Sequence, residues 1–124
     1  MKIRTFLSIA SGIALVFGLG MLLMPSVMAI MYGFGTSPSE ILLARFFGVE
    51  LLMTGVIYWL ARGFSRNNAR PLITGGLIGH LAGTIIALLG TLNGVMNTSG
   101  WSAVAIYFLL FLGFTYFQFS KPAG

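Results

Sequence analysis

Four apolar runs, each close to twenty residues long, dominate this sequence and leave only short connections outside them. They cover residues 3–24, 40–61, 72–92 and 101–119. A helix needs about 20 residues to cross the ~30 Å hydrocarbon core of a bilayer, and the apolar side chains here surround each run instead of forming one stripe. The sequence therefore predicts an all-α, integral membrane four-helix bundle, with residues 1–124 forming a single transmembrane domain.

The composition supports a location in lipid. Hydrophobic residues make up 57% of the 124 residues, charged residues make up 7%, and the mean hydropathy is +0.97. Soluble domains carry about 25% charged residues, so such a surface is unsuited to water. The net charge of +5 comes from basic residues near the ends of the apolar runs, which predicts contact with the lipid bilayer and no nucleic-acid partner. The absence of cysteine excludes disulfides and thiolate metal sites.

The positions of the basic residues predict the topology. The first and third connections contain no lysine or arginine, whereas basic residues flank the first run, crowd the second connection and follow the fourth run: Lys2, Arg4, Arg62, Arg66, Arg70 and Lys121. Because cytoplasmic loops are enriched in lysine and arginine, both termini and the second connection are predicted to be cytoplasmic. The expected location is the bacterial inner membrane, with four passes.

Reporter fusions test this topology. Fusions after Gly35 and Met96 should report the outer side of the membrane, and fusions after Asn67 and Gly124 should report the cytoplasm. The physical reason is the retention of positive loops on the cytoplasmic side. A cytoplasmic signal at Met96, together with an external signal at Asn67, would reverse the assignment.

Two features near the N-terminus allow more than one interpretation. Residues 1–29 resemble a signal peptide, with basic residues, an apolar core and a possible cleavage triplet that ends at Ala29. That core is longer than the usual 7–15 residues, so we interpret it as the first membrane helix. The first connection has room for a short interfacial helix over residues 26–32, and Ser39 is a candidate N-cap for the next helix.

Three ionisable residues within the spans form the candidate site: Arg45, Glu50 and His80. Charged groups at the centre of a bilayer tend to face the protein interior and to be paired. At 1.5 Å per residue, Glu50 lies roughly 16 Å and His80 roughly 12 Å from the cytoplasmic ends of their runs, which is the same depth within boundary error. Thr54 and Thr84 follow them at i+4 on the same helix faces.

We therefore predict a polar seam in which Glu50 and His80 approach to hydrogen-bonding distance, directly or through one water. Arg45 and Glu50 are five residues apart, about 140° around a helix, and should not pair well within it. Three roles stay open at this point. The seam either fixes the register of the helices, carries protons or ions, or binds a ligand.

The third run contains small residues at intervals of four: Gly75, Gly79, Gly83 and Ala87. Small residues at this spacing let helix backbones approach closely in membranes. The stripe is predicted to support helix packing, either inside the bundle or between subunits, with internal packing favoured.

Other patterns in the sequence are interpreted as packing or surface features. His80 with Gly76 at i−4 has the spacing of a haem or chlorin ligand, and Asn97 begins a glycosylation acceptor. Thioethers bind Cu(I), and four methionines follow one another at helical spacing around the first connection: Met21, Met24, Met28 and Met31. Flexible apolar packing is the simpler interpretation of these methionines. No cofactor and no metal site is predicted.

The stretch Leu43-Ala44-Arg45-Phe46-Phe47-Gly48, with Gly55, Tyr58 and Trp59 downstream and Gly100-Trp101-Ser102 at the start of the last run, resembles small bacterial four-helix membrane proteins of unknown function that are loosely DoxX-like. The resemblance covers most of the chain and is most specific at the Arg-aromatic-aromatic-Gly segment. It implies a four-helix bundle with a place for Arg45 in it, and it implies no activity.

The expected function is non-enzymatic. The sequence contains no HExxH, P-loop or GxGxxG motif, and two acids and one histidine provide few groups for acid–base catalysis. The main hypothesis is an accessory or interaction subunit, in a homo-oligomer or with other membrane subunits. The alternative is a small proton-coupled transporter or channel that uses a Glu50/His80 pair in the middle of the membrane.

Overall fold

The computed structural model describes residues 1–121, and these residues form five helices and no strand. The helices are α1 (Ile3–Leu23), α2 (Pro25–Met31), α3 (Pro38–Ala61), α4 (Arg70–Leu92) and α5 (Gly100–Phe119). The four long helices, α1, α3, α4 and α5, are each long and apolar enough to cross a membrane. This confirms the all-α class with four candidate spans, and α2 lies where a short helix was expected.

The chain divides into two units, which are described separately. Hairpin 1 comprises Met1–Arg62 with α1, α2 and α3, and hairpin 2 begins at Gly63 and contains α4 and α5. The observed helices begin up to two residues earlier than predicted: α3 at 38 instead of 40, α4 at 70 instead of 72, and α5 at 100 instead of 101. The union of the two hairpins in one four-helix bundle stays a prediction.

A capping box fixes the start of α3. Ser37 is the N-cap, Pro38 occupies the first turn, and Glu40 is the third helical residue. The backbone N–H and the hydroxyl of Ser37 both donate to Oε2 of Glu40, at 2.9 and 2.6 Å. The prediction of Ser39 as the N-cap is wrong, because proline needs no N–H partner at the first helical position and so moves the helix start to 38.

In hairpin 1, α1 and α3 pack antiparallel along a seam in which most residues are small. The α1 side of the seam repeats at intervals of four and three, and its members are Leu7, Ser11, Ala14 and Gly18, all buried. On α3, Gly48 and Gly55 face it. A Cβ placed on Gly48 would lie 2.8 Å from the carbonyl oxygen of Gly18 and 2.8 Å from the amide nitrogen of Leu22. The two backbones are therefore in direct contact, which only glycine allows here.

In hairpin 2, α4 and α5 also pack antiparallel along a seam with three- and four-residue intervals. On α4 the seam contains Ile73, Gly76, His80, Gly83 and Ala87, and on α5 it contains Tyr107, Leu110, Phe114 and Phe117. A Cβ on Gly76 would lie 2.5 Å from Cε1 of Phe114, and one on Gly83 would collide with the ring of Tyr107. These glycines make room for the aromatic rings of α5. The three- and four-residue intervals, with rings inserted between residues of the facing helix, are typical of a coiled-coil seam.

The small-residue stripe of α4 divides between two surfaces. Gly83 and Ala87 belong to the seam with α5, and Ala87 is buried. A Cβ on Gly75 or Gly79 would meet no heavy atom of hairpin 2 within 4 Å. The packing role of Gly75 and Gly79 therefore requires a helix outside hairpin 2 and stays a prediction.

Two arginines of the connection between α3 and α4 are held near helix ends. Arg66 donates from Nε and Nη2 to the carbonyl of Phe117 at 3.0 and 2.5 Å, and from Nη2 to the carbonyl and hydroxyl of Ser120 at 2.6 Å each. The last carbonyls of a helix have no partner within it and carry partial negative charge, so this guanidinium stabilises the end of α5. Arg62 stacks 3.4 Å above the ring of Trp59.

Candidate intramembrane polar site

The five residues of the predicted polar site fall in different hairpins. Arg45, Glu50 and Thr54 lie on α3 of hairpin 1, whereas His80 and Thr84 lie on α4 of hairpin 2. The two threonines play the same local part. Thr54 Oγ1 donates to the carbonyl of Glu50 at 2.9 Å, and Thr84 Oγ1 donates to the carbonyl of His80 at 2.7 Å. An approach of Glu50 to His80 would be a contact between the two hairpins, and it stays a prediction.

Glu50 lies near the middle of α3, on the side opposite α1. Along the helix axis it is about 18 Å from Pro38 and about 16 Å from Ala61, at 1.5 Å per residue. It is two residues after Gly48, so its side chain points about 160° away from the seam. Glu50 is exposed, and its carboxyl group makes no hydrogen bond or ion pair within the described part of hairpin 1.

The surface around Glu50 is apolar. The neighbours at i−7, i−4, i+3 and i+7 on the same face are all exposed: Leu43, Phe46, Met53 and Ile57. We call these four residues together with Glu50 the Glu50 face. One carboxyl group in the centre of an exposed apolar surface is suited to hydrocarbon only if a partner supplies a hydrogen bond or an opposite charge.

Arg45 lies on another side of α3. It is about 10 Å from Pro38 along the axis and about 140° around the helix from Glu50. Its side chain is exposed and has no partner within the described part of hairpin 1. Its neighbours on this side are exposed aliphatic residues, which we call the Arg45 face together with Arg45: Leu42, Val49 and Val56.

The acids of this chain can all be assigned, because the sequence contains only Glu40 and Glu50. The carboxylate of Glu40 is occupied by the two donors of Ser37 and by the backbone N–H of Gly35. Both of its oxygens approach Gly35 so closely that a Cβ there would lie within 2.7 Å of them. No carboxylate of the capping box is therefore left over for Arg45.

His80 is part of the seam between α4 and α5. Its ring stacks on Phe114 with 5.0 Å between centroids, and it lies 5.9 Å from the ring of Tyr107. Its Nδ1 is 2.7 Å from the carbonyl oxygen of Gly76. Since a carbonyl only accepts, Nδ1 carries a proton and donates it to this bond. The half-buried ring thus contributes to packing within hairpin 2.

A further polar contact, between Ser11 and Gly55, was not predicted from the sequence. Ser11 is fully buried, and its hydroxyl donates to the carbonyl of Gly55 at 2.7 Å, which links α1 to α3. The signal for it was the line of small residues that Ser11 shares with Ala14 and Gly18 on α1. Interhelical hydrogen bonds of this kind contribute roughly 0.6–2 kcal/mol between membrane helices.

Metal-ligating groups do not gather in the part of the chain that the structure describes. Within residues 1–121, no three side chains of His, Cys, Asp or Glu come together. Of the four methionines near the first connection, Met28 is buried against Gly20 and Met24 is exposed, so they do not share one environment. Comparison of the chain with protein-family models, with curated proteins and with solved structures gave no match.

Proposed function

We propose that this protein is a non-enzymatic subunit of a membrane assembly, either a homo-oligomer or a larger complex, in which a partner helix covers the Glu50 face. The observation that supports this proposal is the exposed carboxyl group of Glu50, which lies at the middle of an apolar helix and has no partner within the described part of hairpin 1. A charged group at this depth costs at least ~2.5–3.5 kcal/mol on insertion scales. A donor or a positive charge from a neighbouring helix would offset that cost.

Two other polar groups within the spans, Ser11 and His80, support the same view, because each is hydrogen-bonded within its own hairpin. Ser11 bonds to Gly55, and His80 bonds to Gly76. Polar groups that are hydrogen-bonded in this way stabilise helix packing. Glu50 is then a single point of attachment on an apolar surface, which suits recognition of one helix by another.

The second open surface lies on α4 beside the seam. Gly75 and Gly79 leave the backbone uncovered within hairpin 2, and small residues four apart are favoured where membrane helices approach closely. In the proposed assembly this surface accepts a helix as well. The proposal includes the bacterial inner membrane as the location and the cytoplasm as the side of both termini.

The second candidate is a small proton-coupled transporter or channel. The same carboxyl group supports it, since Glu50 lies at mid-span and can bind and release a proton. In this view His80 relays or tunes the proton and Arg45 guards the outer mouth. The seam position of His80 favours the first proposal, because its Nδ1 proton is given to Gly76 and its ring is packed against Phe114.

Substitution of Glu50 separates the two candidates. Gln keeps the shape and the hydrogen bonding of the side chain but cannot exchange a proton. Leu removes both the hydrogen bonding and the proton exchange. For an assembly subunit, Glu50→Gln should keep its partners on purification from native membranes, Glu50→Leu should lose most of them, and reconstituted wild-type vesicles should show no proton flux above empty vesicles. Proton flux in wild type that Glu50→Gln abolishes would overturn the assembly proposal and establish the transporter.

The open surface of α4 offers a matched pair for the same purification. Gly79→Leu should reduce the recovered partners, because a large side chain would separate the approaching helices. Gly12→Leu is the control, since Gly12 of α1 also has nothing within 4 Å of its Cβ position. Equal recovery from the two variants would exclude the Gly75–Gly79 surface from the assembly.

A further inference from the structure

Arg45 is the one arginine placed within the apolar part of a span, and its position raises the question of what neutralises it. Glu40 is occupied by Ser37 and Gly35, and Glu50 lies about 140° around the helix and about 7–8 Å further along it. No other acidic side chain exists in the sequence. The anion that pairs with Arg45 therefore comes from outside this chain or from Glu50 of a second copy.

The direction of the Arg45 side chain favours an anion at the Pro38 end of α3. In an α-helix the Cα–Cβ bonds tilt toward the N-terminus, so the stem of Arg45 leads away from the depth of Glu50. α3 has 24 residues and is about 36 Å long, which exceeds the ~30 Å of hydrocarbon by about 3 Å at each end. The Cα of Arg45 is then about 7 Å below the headgroup region, a depth from which arginine can snorkel to the headgroups.

The surroundings of Arg45 are those of a lipid contact. Three exposed aliphatic residues share the Arg45 face: Leu42 on the Pro38 side of Arg45, Val49 near the middle of α3 and Val56 in its second half. Such a surface suits acyl chains, and a guanidinium suits the phosphate above them, because its planar fork binds two phosphate oxygens at once. The Arg45 face and the Glu50 face are on different sides of α3, so one helix can contact lipid and protein together.

We propose that Arg45 binds the phosphate group of a phospholipid in the leaflet at the Pro38 end of α3, with the acyl chains along Leu42 and Val49. The ligand is a phosphodiester headgroup. Lysine at position 45 would bind it less tightly than arginine, because lysine forms no bidentate contact with phosphate. The lipid phosphate balances the charge of Arg45, because the carboxylate of Glu40 is already bonded to Ser37 at the start of α3.

The test measures the phospholipid that stays bound to the full-length protein. Wild type and variants are extracted in mild detergent from vesicles of phosphatidylcholine and phosphatidylglycerol, and bound lipid is counted by native mass spectrometry. Arg45→Gln should retain at least about ten-fold less phospholipid, because the neutral amide of glutamine can replace at most one of the two charge-assisted bonds of the guanidinium. Arg45→Lys should retain an amount between those of wild type and Arg45→Gln. Arg70→Gln, which removes an exposed arginine at the very start of α4, should lose less phospholipid than Arg45→Gln.

A second measurement on the wild-type protein does not depend on the folding of any variant. A phospholipid with a photoreactive headgroup should attach to the first half of α3, between Pro38 and Glu50. Attachment only elsewhere in the chain, or equal lipid retention by Arg45→Gln and wild type, would overturn the proposal. A loss of dimer mass in both Arg45→Gln and Glu50→Gln, with lipid retention unchanged, would also overturn it and assign Arg45 to Glu50 of a second copy.

Discussion

Replacement of Gly48 by alanine should destabilise hairpin 1 more than any other single-methyl change considered in this molecule. The added Cβ would lie 2.8 Å from two backbone atoms of α1, the oxygen of Gly18 and the nitrogen of Leu22. Backbone atoms within a helix cannot rotate away as a side chain can, so α1 and α3 must move apart. Overpacking of this kind typically costs about 1–3 kcal/mol.

Helix propensity works in the opposite direction, which makes the comparison informative. Alanine is better than glycine in a helix interior by about 0.8–1 kcal/mol, so an open glycine should gain or stay neutral when it becomes alanine. Gly12→Ala is the control, because its Cβ would meet nothing within 4 Å. Unfolding of the purified protein in detergent, followed by circular dichroism, should rank Gly48→Ala below wild type and Gly12→Ala at or above it. Equal stability of the two variants would contradict the close contact of α1 and α3.

The four spans could be predicted because their length and apolar character are local properties of the sequence. The start of α3 shows that a local signal can also be missed. Ser37 and Glu40 are three residues apart and frame Pro38, which is the pattern of a capping box with proline at the first position. Ser39, in contrast, is followed three residues later by Leu42, which cannot complete a capping box.

The glycine stripe of α4 shows that residues at strict four-residue intervals do not stay on one face of a helix. Residues four apart advance by about 400° on a helix with 100° per residue, so each step drifts by about 40°. Over the three steps from Gly75 to Ala87 the drift is about 120°, which explains why Ala87 is in the seam and Gly75 is beside it. A seam that stays on one side alternates intervals of three and four, as Gly76, His80, Gly83 and Ala87 do.

The seam of hairpin 1 could not be found from one helix alone. Gly18, Gly48 and Gly55 matter because α1 and α3 meet there, and the sequence does not state which helices pair or at what height. For the same reason the sequence could identify Glu50, Arg45 and His80 as the ionisable groups within the spans but could not show their surroundings. Packing determines that His80 contacts Phe114 while Glu50 faces away from α1.

Photo-cross-linking along α3 should separate its two exposed faces, and this is the second large effect that we expect. A photoreactive amino acid at Met53 lies on the Glu50 face, and one at Val49 lies on the Arg45 face; both native residues are exposed. These two positions are about 6 Å apart along the helix axis but only about 40° apart around it, so they separate the two faces weakly. Ile57 lies near the centre of the Glu50 face, and Val56 lies on the Arg45 face. These two residues are about 100° apart around the helix.

The pair Ile57 and Val56 therefore gives the sharpest contrast, because the residues are adjacent in sequence and face different surroundings. In native membranes, irradiation should join position 57 to another polypeptide, with a mass above that of the monomer, and should join position 56 mainly to lipid. Glu50→Leu should reduce the protein adduct at position 57 and leave the lipid adduct at position 56 unchanged. Lipid adducts alone at both positions, or an adduct at 57 that stays within the same chain, would contradict the claim that a partner subunit covers the Glu50 face.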